Sequence, residues 1–149
     1  MKTFKLLILL FVFFFGDSQA MTDDEMREEF MRITMICSKD HKVDMKDLLS
    51  LQQLNVPTKK DVKCLLACAY KKTGSMNKEG LYDIEASYKI AEMTKNGDPK
   101  RLENAKKLVD ICAKVNDETV SDGEAGCDRA GLIFKCVVET APKLGFKLK

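Results

Sequence analysis

Apolar residues recur along most of the chain at intervals of three and four, the spacing that places side chains on one face of an α-helix. Near the beginning of this pattern, Met26, Phe30, Ile33 and Cys37 form one such row. Polar breaks separate the rows, and Gly or Pro stands at several of the breaks. The pattern predicts about six helices and no strand, and therefore an all-α fold.

Residues that favour helix ends mark several of the boundaries. Thr22 precedes the first row, and Asp44 precedes a short second helix. Asp98 followed by Pro99 is typical of a helix start and predicts the fifth helix. The buried side of the second helix is predicted to consist of Leu48, Leu49 and Leu51.

The third helix, predicted over residues 58–73, carries Cys64 and Cys68. Residues four apart lie on one helix face one turn apart, so this helix can be cross-linked to two different parts of the chain. Thr58 is a weak start signal, and Gly74 predicts the end. The alternative is a metal or redox site, but zinc frameworks and redox motifs use other cysteine spacings.

Residues 81–95 fit two patterns. Tyr82, Ile84 and Tyr88 belong to an alternation typical of a strand, but Ile84 and Tyr88 also lie on a helical row. Ala, Glu, Lys and Met in this stretch favour a helix, and an Asn-Gly pair after it is typical of a helix end. We therefore expect the fourth helix here, and a strand would find no partner elsewhere in the chain.

The first 20 residues have the composition of a secretory signal peptide. Lys2 and Lys5 precede an unbroken apolar run at residues 6–15, and Ser18 and Ala20 fit the cleavage site. The run is too short to span a bilayer, which needs roughly 20 residues. We expect residues 21–149 to be exported without membrane insertion, as one domain large enough for a hydrophobic core.

The charge balance excludes one class of function. The chain holds 25 basic and 23 acidic side chains, a formal net charge of +2, and both signs are spread along every predicted helix. Nucleic-acid binding requires a strong positive excess or stripe. We therefore expect no nucleic-acid partner.

Six cysteines, an even number in an exported chain, predict three disulfides. Cys127 and Cys136 are nine residues apart in the predicted sixth helix, over residues 127–140, so about 13.5 Å of helix axis separates them. A disulfide needs Cα atoms within about 7 Å. These two cysteines therefore bond to different partners, and the remaining pairings stay open at this point.

Catalytic and metal chemistry find little support in the sequence. His41 is the single histidine, and Asp40 beside it does not orient a catalytic base merely by being adjacent. We find no nucleophile elbow, zinc-protease motif, P-loop or calcium loop. We expect no enzymatic activity, no metal and no cofactor.

The spacing of the cysteines is more specific: Cys37-x26-Cys64-x3-Cys68-x43-Cys112-x14-Cys127-x8-Cys136. It closely resembles the insect odorant-binding protein family, which includes the pheromone-binding proteins. The x3 and x8 intervals are the most specific parts, whereas x43 and x14 lie toward the long end of the family's range. The resemblance covers the whole chain after residue 20.

The resemblance implies a compact domain of about six helices around an apolar cavity. It implies the disulfides Cys37–Cys68, Cys64–Cys127 and Cys112–Cys136. The implied function is that of a secreted, extracellular carrier, a monomer or weak homodimer. Such a carrier binds odorants or pheromone-like molecules reversibly and takes them through aqueous lymph to a membrane receptor.

We predict the lining of this cavity from the inward helical rows. The predicted residues are Phe30, Ile33, Leu66, Tyr70, Ile84, Tyr88, Leu108, Phe134 and Val138. Tyr70 and Tyr88 are the predicted polar contacts. Ordinary core packing is the alternative for each of these residues.

After the sixth helix, residues 143–149 alternate between apolar side chains and lysine or glycine. We predict that Phe146 and Leu148 form part of a lid and that Phe146 contacts the ligand, the alternative being a frayed terminus. Several moth pheromone-binding proteins release ligand on acidification through histidines and a long tail. Here His41 stands alone and 13 residues follow Cys136, which gives that switch little support.

Two other functions remain open from the sequence. The chain could be a carrier or scavenger of hydrophobic molecules outside smell. It could also be a secreted protein-interaction module whose core is filled. Ligand binding would distinguish a carrier from an interaction module.

Overall fold

The computed structural model describes residues 21–148, so the predicted signal peptide at residues 1–20 lies outside the described residues. Six α-helices form within the described range and confirm the predicted all-α fold. In chain order they are α1 Asp23–Cys37, α2 Met45–Gln52, α3 Lys60–Thr73, α4 Ile84–Met93, α5 Pro99–Cys112 and α6 Cys127–Thr140. Short 3₁₀ turns lie at Ser38–Asp40, Ala113–Asn116, Gly123–Ala125 and Ala141–Leu144.

Three of the predicted helix starts are confirmed by side-chain caps. The Thr22 hydroxyl accepts a hydrogen bond from the Glu25 amide, and the Glu25 carboxylate accepts one from the Thr22 amide at 2.7 Å. Asp44 and Asp47 form the same reciprocal pair at the start of α2. At the start of α5, Asp98 accepts a hydrogen bond from the amide of the second helical residue. Local side-chain chemistry therefore determines where these helices begin.

Two predictions about the second and third helices are wrong. Helix α3 begins at Lys60, and its N-cap is Lys59, which makes no side-chain capping bond, rather than Thr58. Leu49 is 48% exposed, because only one narrow side of the short helix α2 faces the core. Leu51 is buried on that side and Leu48 is half-buried beside it.

The stretch at 81–95 contains both of the conformations that its pattern suggested. Tyr82 is extended and pairs with Met76 in an isolated antiparallel bridge, so the expectation that a strand would find no partner is wrong for this one residue. Helix α4 then begins after Asp83, whose carboxylate accepts a hydrogen bond from the Ala86 amide at 2.9 Å. The helix prediction holds from Ile84 onward.

The core lies between α3 and α6, the two helices at the centre of the fold. Leu65 and Leu66 of α3 and Ile133 of α6 are almost completely removed from solvent. The end of α1, together with α5, packs around this pair and contributes Ile33 and Val109. Burial of these side chains is the main favourable free energy of the fold.

The three disulfides connect the helices in the pairing that the family resemblance implied. Cys37 bonds to Cys68, Cys64 to Cys127 and Cys112 to Cys136, with Cα–Cα distances of 6.0, 4.2 and 5.8 Å. Helices α3 and α6 each carry two of these bonds, as the sequence predicted. No described helix has both the length and the apolar character that crossing a membrane requires.

Candidate functional site

A partly open cavity of about 270 Å³ lies between α1, the C-terminal end of α2, α6 and the C-terminal tail. Most of its wall is apolar. The lining residues are Arg27, Phe30, Met31, Thr34, Leu51, Gln52, Leu54, Phe134 and Leu148. The cavity is therefore built from three helices, the residues directly after α2 and the tail, so its wall combines parts of the chain that are far apart in sequence.

Helical spacing explains the contribution of α1. Counted from Arg27, the other lining residues of α1 follow after three, four and seven positions: Phe30, Met31 and Thr34. They therefore share one side of the helix over two turns. Phe30 also belongs to the row that packs against the core. The cavity thus lies along the border of the core rather than at the middle of the α3–α6 interface.

The cavity is apolar at its inner end and polar at its mouth. Leu51, Thr34 and Phe134 are buried, whereas Arg27 and Gln52 are exposed. The buried Thr34 hydroxyl donates to the Phe30 carbonyl at 2.7 Å, so its donor is already satisfied within α1. An apolar ligand body can therefore enter without leaving that donor unpaired, and a polar ligand group would face the mouth.

Arg27 is the charged residue in this wall. Its guanidinium lies 3.0 Å from the Asp24 carboxylate, one helical turn earlier, and both side chains are largely exposed. Exposed pairs of this kind contribute little free energy. The Arg27 side chain can therefore exchange this partner for water or a ligand group at small cost.

Two of the predicted lining residues, Phe30 and Phe134, lie in the cavity wall, on opposite helices. The Phe30 ring packs at 5.7 Å from the ring of Tyr70, measured between centroids, so Tyr70 lies directly behind the wall. Ile33, Leu66 and Tyr70 belong to the buried core. Ile84, Tyr88, Leu108 and Val138 are partly buried and pack against that core.

The two tyrosines predicted as polar contacts have different surroundings. Burial raises the pKa of the Tyr70 phenol strongly, and the neighbouring Tyr82 adds to this effect, so Tyr70 stays protonated. The Tyr88 hydroxyl donates to the Asp110 carboxylate, and this hydrogen bond raises the pKa of Tyr88. Neither tyrosine is part of the wall formed by the described residues. Their role in ligand binding stays a prediction.

The tail lies along the molecule as far as it is described. Leu144, Phe146 and Leu148 are half-buried, in agreement with the alternation in the sequence. The Leu144 carbonyl accepts a hydrogen bond from the Asn104 side chain at 3.0 Å. The Arg101 guanidinium lies over the Phe146 ring, 4.9 Å from its centroid, and Leu148 reaches the cavity.

Asp23, at the start of α1, connects this tail to α5. Its carboxylate accepts hydrogen bonds from the Arg101 guanidinium and from the Lys147 amide. Partial burial acts to raise the pKa of Asp23, but the hydrogen bonds from Arg101 and Lys147 outweigh it and lower the pKa below its ordinary value. We call Asp23, Arg101 and Lys147 the tail clasp.

A larger depression, of about 380 Å³, lies on the outer face of α1. It is shallow and lined by Met21, Glu25, Glu28, Glu29 and Arg32. Four of these five side chains are charged, so it offers no apolar enclosure for a ligand. Within residues 21–148 no group of His, Cys, Asp and Glu side chains is arranged to hold a metal ion.

Sequence reasoning missed most of the cavity wall. Leu54 and Gln52 lie where α2 ends, and an irregular segment carries no periodic signal. Met31 and Thr34 lie beside the predicted α1 row rather than on it. Only the packing of α2 and the tail against α1 reveals that this side of α1 is enclosed.

Comparison with known proteins identifies relatives along most of the chain. The model of the PBP/GOBP family matches residues 19–140. General odorant-binding protein 19d of Drosophila melanogaster is 22% identical over 144 residues, which cover 96% of this chain and 93% of that protein. General odorant-binding protein 28a of the same organism is 34% identical over 83 residues, covering 56% of this chain and 54% of that protein.

A solved structure has the same fold. The structure of odorant-binding protein 28a from Drosophila melanogaster is similar to this one with a TM-score of 0.66 and 26% sequence identity. The similarity covers 85% of this chain and all of the other.

Proposed function

The chain belongs to the PBP/GOBP family of insect odorant-binding proteins, and on that premise we propose that it is a secreted carrier of small hydrophobic molecules. The family is one of ligand-binding proteins without enzymatic activity. The observation that carries the proposal is the cavity between α1, the end of α2, α6 and the tail, with Phe30 and Phe134 in its wall. Concave, mostly apolar sites with a few polar groups are typical of small-molecule binding.

The size of the cavity limits the ligand. At about 30 Å³ per non-hydrogen atom, the share of one water molecule in the liquid, 270 Å³ holds roughly nine such atoms. Micromolar affinity from nine atoms requires about 0.9 kcal/mol per atom, which is below the ceiling of about 1.5 kcal/mol for very small ligands. The cavity is therefore large enough for a volatile molecule to bind usefully.

The polarity of the wall suggests the orientation of the ligand. Its hydrocarbon part would lie against Phe134 and Leu51, where apolar burial provides most of the affinity. Its oxygen function would point outward, toward Arg27 and Gln52 and the water at the mouth. The carrier would discriminate by the length and shape of the hydrocarbon more than by its polar group.

The tail fits the role of a lid. Leu148 completes the cavity wall, while Phe146 packs under Arg101 and fixes the tail from the other side. The hydrogen bonds to Asp23 and Asn104 add polar attachments on α1 and α5. We include Phe146 and Leu148 in the lid on these contacts.

Export follows from the same proposal. Residues 1–20 would be removed as a signal peptide, and the three disulfides would form in an oxidising compartment. Residues 21–149 would then act as a single extracellular domain that delivers its ligand to a membrane receptor.

The test is a binding titration of residues 21–149 with all disulfides formed. Because the chain has no tryptophan, a fluorescent apolar probe supplies the signal. We expect saturable binding at one probe per chain and displacement by odorants at micromolar concentration. A folded protein that binds neither probe nor odorants would contradict the proposal and favour an interaction module. Expression outside sensory tissue, with binding intact, would favour a general carrier.

The same titration needs matched variants. Phe134→Ala removes an aromatic ring from the cavity wall. We expect this loss of apolar contact to weaken probe binding. Leu49→Ala truncates an apolar side chain of α2 that is 48% exposed and lies outside the cavity, and we expect it to leave binding unchanged. If the two variants changed the affinity for the probe equally, the probe would not bind in this cavity.

A further inference from the structure

Leu54, which lies in the wall of the cavity, has an unusual backbone conformation. Its φ angle is 65°, in the left-handed region that residues with a Cβ atom rarely adopt. Within residues 21–148 one other residue besides glycine has a positive φ, namely Asn96 at 52°. Asparagine tolerates this region far better than leucine, because its short polar side chain can bond locally. Leu54 therefore requires an explanation that Asn96 does not.

The conformation comes from the way α2 ends. The Asn55 amide donates to the Ser50 carbonyl at 3.0 Å, and the Leu54 amide donates to the Leu51 carbonyl at 2.9 Å. The bond from Asn55, which spans five residues, is typical of a helix end whose left-handed position is usually glycine. Gly74 occupies the left-handed position after α3 in the same manner. At the end of α2 this position is held by a leucine, at a steric cost.

Packing in the core does not account for that leucine. Leu54 is half-buried and is absent from the core formed by the described residues, which includes Leu51 and Leu48 from the same helix. Its side chain lies in the wall of the cavity, together with Leu148 of the tail and Arg27 of α1. The strained residue thus contributes its side chain to the binding space. Strained backbone is found most often at such sites.

We propose that Leu54 determines ligand specificity, because its half-buried side chain takes up space in the cavity wall and thereby limits the length of the aliphatic ligand that fits. This inference rests on the proposed carrier function. The ligand class is a straight hydrocarbon chain with one oxygen function, such as a primary alcohol or aldehyde. A short chain fills the space up to Leu54, and a longer chain meets its methyl groups.

The decisive variant is Leu54→Gly, which removes the side chain and also relieves the backbone. We expect a melting temperature equal to or above that of the unchanged protein, since glycine adopts this conformation without steric cost. We expect the affinity for octanol to fall about tenfold, because the ligand loses roughly half of the apolar contact that a leucine side chain provides. The affinity for dodecanol should fall less or rise, so that the preference between the two alcohols shifts at least about fivefold.

Asn96→Gly is the matched control. It makes the same backbone change at the other left-handed position, which lies between α4 and α5 and outside the cavity wall. We expect both its melting temperature and its alcohol preference to equal those of the unchanged protein. Leu54→Ala provides a second variant that keeps the strained backbone. It should show the same shift in alcohol preference as Leu54→Gly, but its melting temperature should be lower than that of Leu54→Gly.

The measurement is displacement of a fluorescent apolar probe by hexanol, octanol, decanol and dodecanol. A shift in preference for both Leu54 variants, with Asn96→Gly unchanged, would support the inference. Unaltered preference in both Leu54 variants would overturn it while leaving the carrier function intact. So would a melting temperature of Leu54→Gly lowered as much as that of a core truncation such as Leu65→Ala. If the unchanged protein bound no probe and no alcohol, the carrier function itself would fail.

Discussion

Arg129 is a charged side chain inside the molecule, only 5% exposed, and it serves the fold rather than the cavity. Its guanidinium donates to the Val115 and Glu118 carbonyls, so one residue of α6 satisfies the backbone after α5. Carbonyls at a helix end lack partners within the helix and carry partial negative charge. The buried cation is thus matched by backbone dipoles instead of a carboxylate.

We expect Arg129→Met to destabilise the protein by about 2–4 kcal/mol, because it removes two hydrogen bonds and leaves the buried Val115 carbonyl without this donor. Urea denaturation of the oxidised protein measures this loss. The control is Arg32→Met, which removes an exposed arginine paired with Glu29 on α1 and should change stability little. Equal losses for both variants would show that the bonds from Arg129 contribute nothing specific.

Two glycines differ in what surrounds them and provide a second test at this scale. A Cβ atom added to Gly80 would lie 2.6 Å from the Gly123 carbonyl oxygen, whereas one added to Gly74 would meet nothing within 4 Å. Both residues have a left-handed backbone, with φ of +76° and +85°. We expect Gly74→Ala to cost about 1–2 kcal/mol from conformation alone. Gly80→Ala should cost clearly more, because backbone must also move, and denaturation curves that coincide for the two would contradict this.

At the scale of elements, the tail clasp connects the tail to α1 and α5. Asp23→Asn removes the charge that Arg101 and the Lys147 amide share, so we expect faster hydrogen exchange at Lys147 and Phe146. The exposed Asp40→Asn is the control and should leave this exchange unchanged. Slow exchange in Asp23→Asn would mean that Phe146 and Leu148 hold the tail without the clasp.

The pH dependence of the clasp follows from the lowered pKa of Asp23. A carboxylate whose pKa is lower in the folded state stabilises that state above its unfolded pKa, about 3.9, and loses this contribution as the pH falls through the folded pKa. We therefore expect the tail to loosen only below about pH 4. Ligand affinity should be equal at pH 7 and pH 5, as competition titrations at both values would show. A large loss of affinity by pH 5 would require another titrating group.

The lid makes a separate prediction for the same element. Leu148→Ala should accelerate ligand release in stopped-flow displacement, because Leu148 forms part of the cavity wall. Deletion of residues 143–149 should do so more strongly. Unchanged affinity and release after that deletion would exclude a lid and favour a passive terminus.

For the whole molecule, the three disulfides divide the chain into closed loops of different length. The residues joined are 31, 63 and 24 positions apart for Cys37–Cys68, Cys64–Cys127 and Cys112–Cys136. The chain-entropy model assigns about 3.5–4.5 kcal/mol to each, with the largest value for the longest loop. The pair Cys64–Cys127 also joins the two central helices, α3 and α6.

We expect the double variant Cys64→Ala with Cys127→Ala to lose more stability than Cys112→Ala with Cys136→Ala, by about 1 kcal/mol from loop length alone. Guanidinium denaturation of both variants compares them directly. The reverse order would show that local packing, rather than loop closure, dominates the contribution of these bonds.

Helix positions in this protein are largely a matter of local sequence. Caps such as Thr22 and Asp44, and the proline at the start of α5, act on their own helices, so the pattern predicted these starts correctly. Where no side chain caps the helix the prediction failed, as at Thr58, since α3 begins after Lys59 without a capping bond. The cysteine spacing likewise indicated the family, and the family resemblance in turn implied the disulfide pairing.

The amino-acid sequence by itself thus determined the fold class and most of the helix starts, and the cysteine spacing implied the covalent framework through the family resemblance. The tertiary structure alone decided where the cavity lies. A helical row shows which side of a helix turns inward, and Ile33 and Phe30 share such a row, yet only Phe30 borders the cavity. Whether an inward side chain meets another side chain or an open space depends on the elements opposite it. Here those elements are the strained end of α2 and the tail, whose positions result from long-range packing.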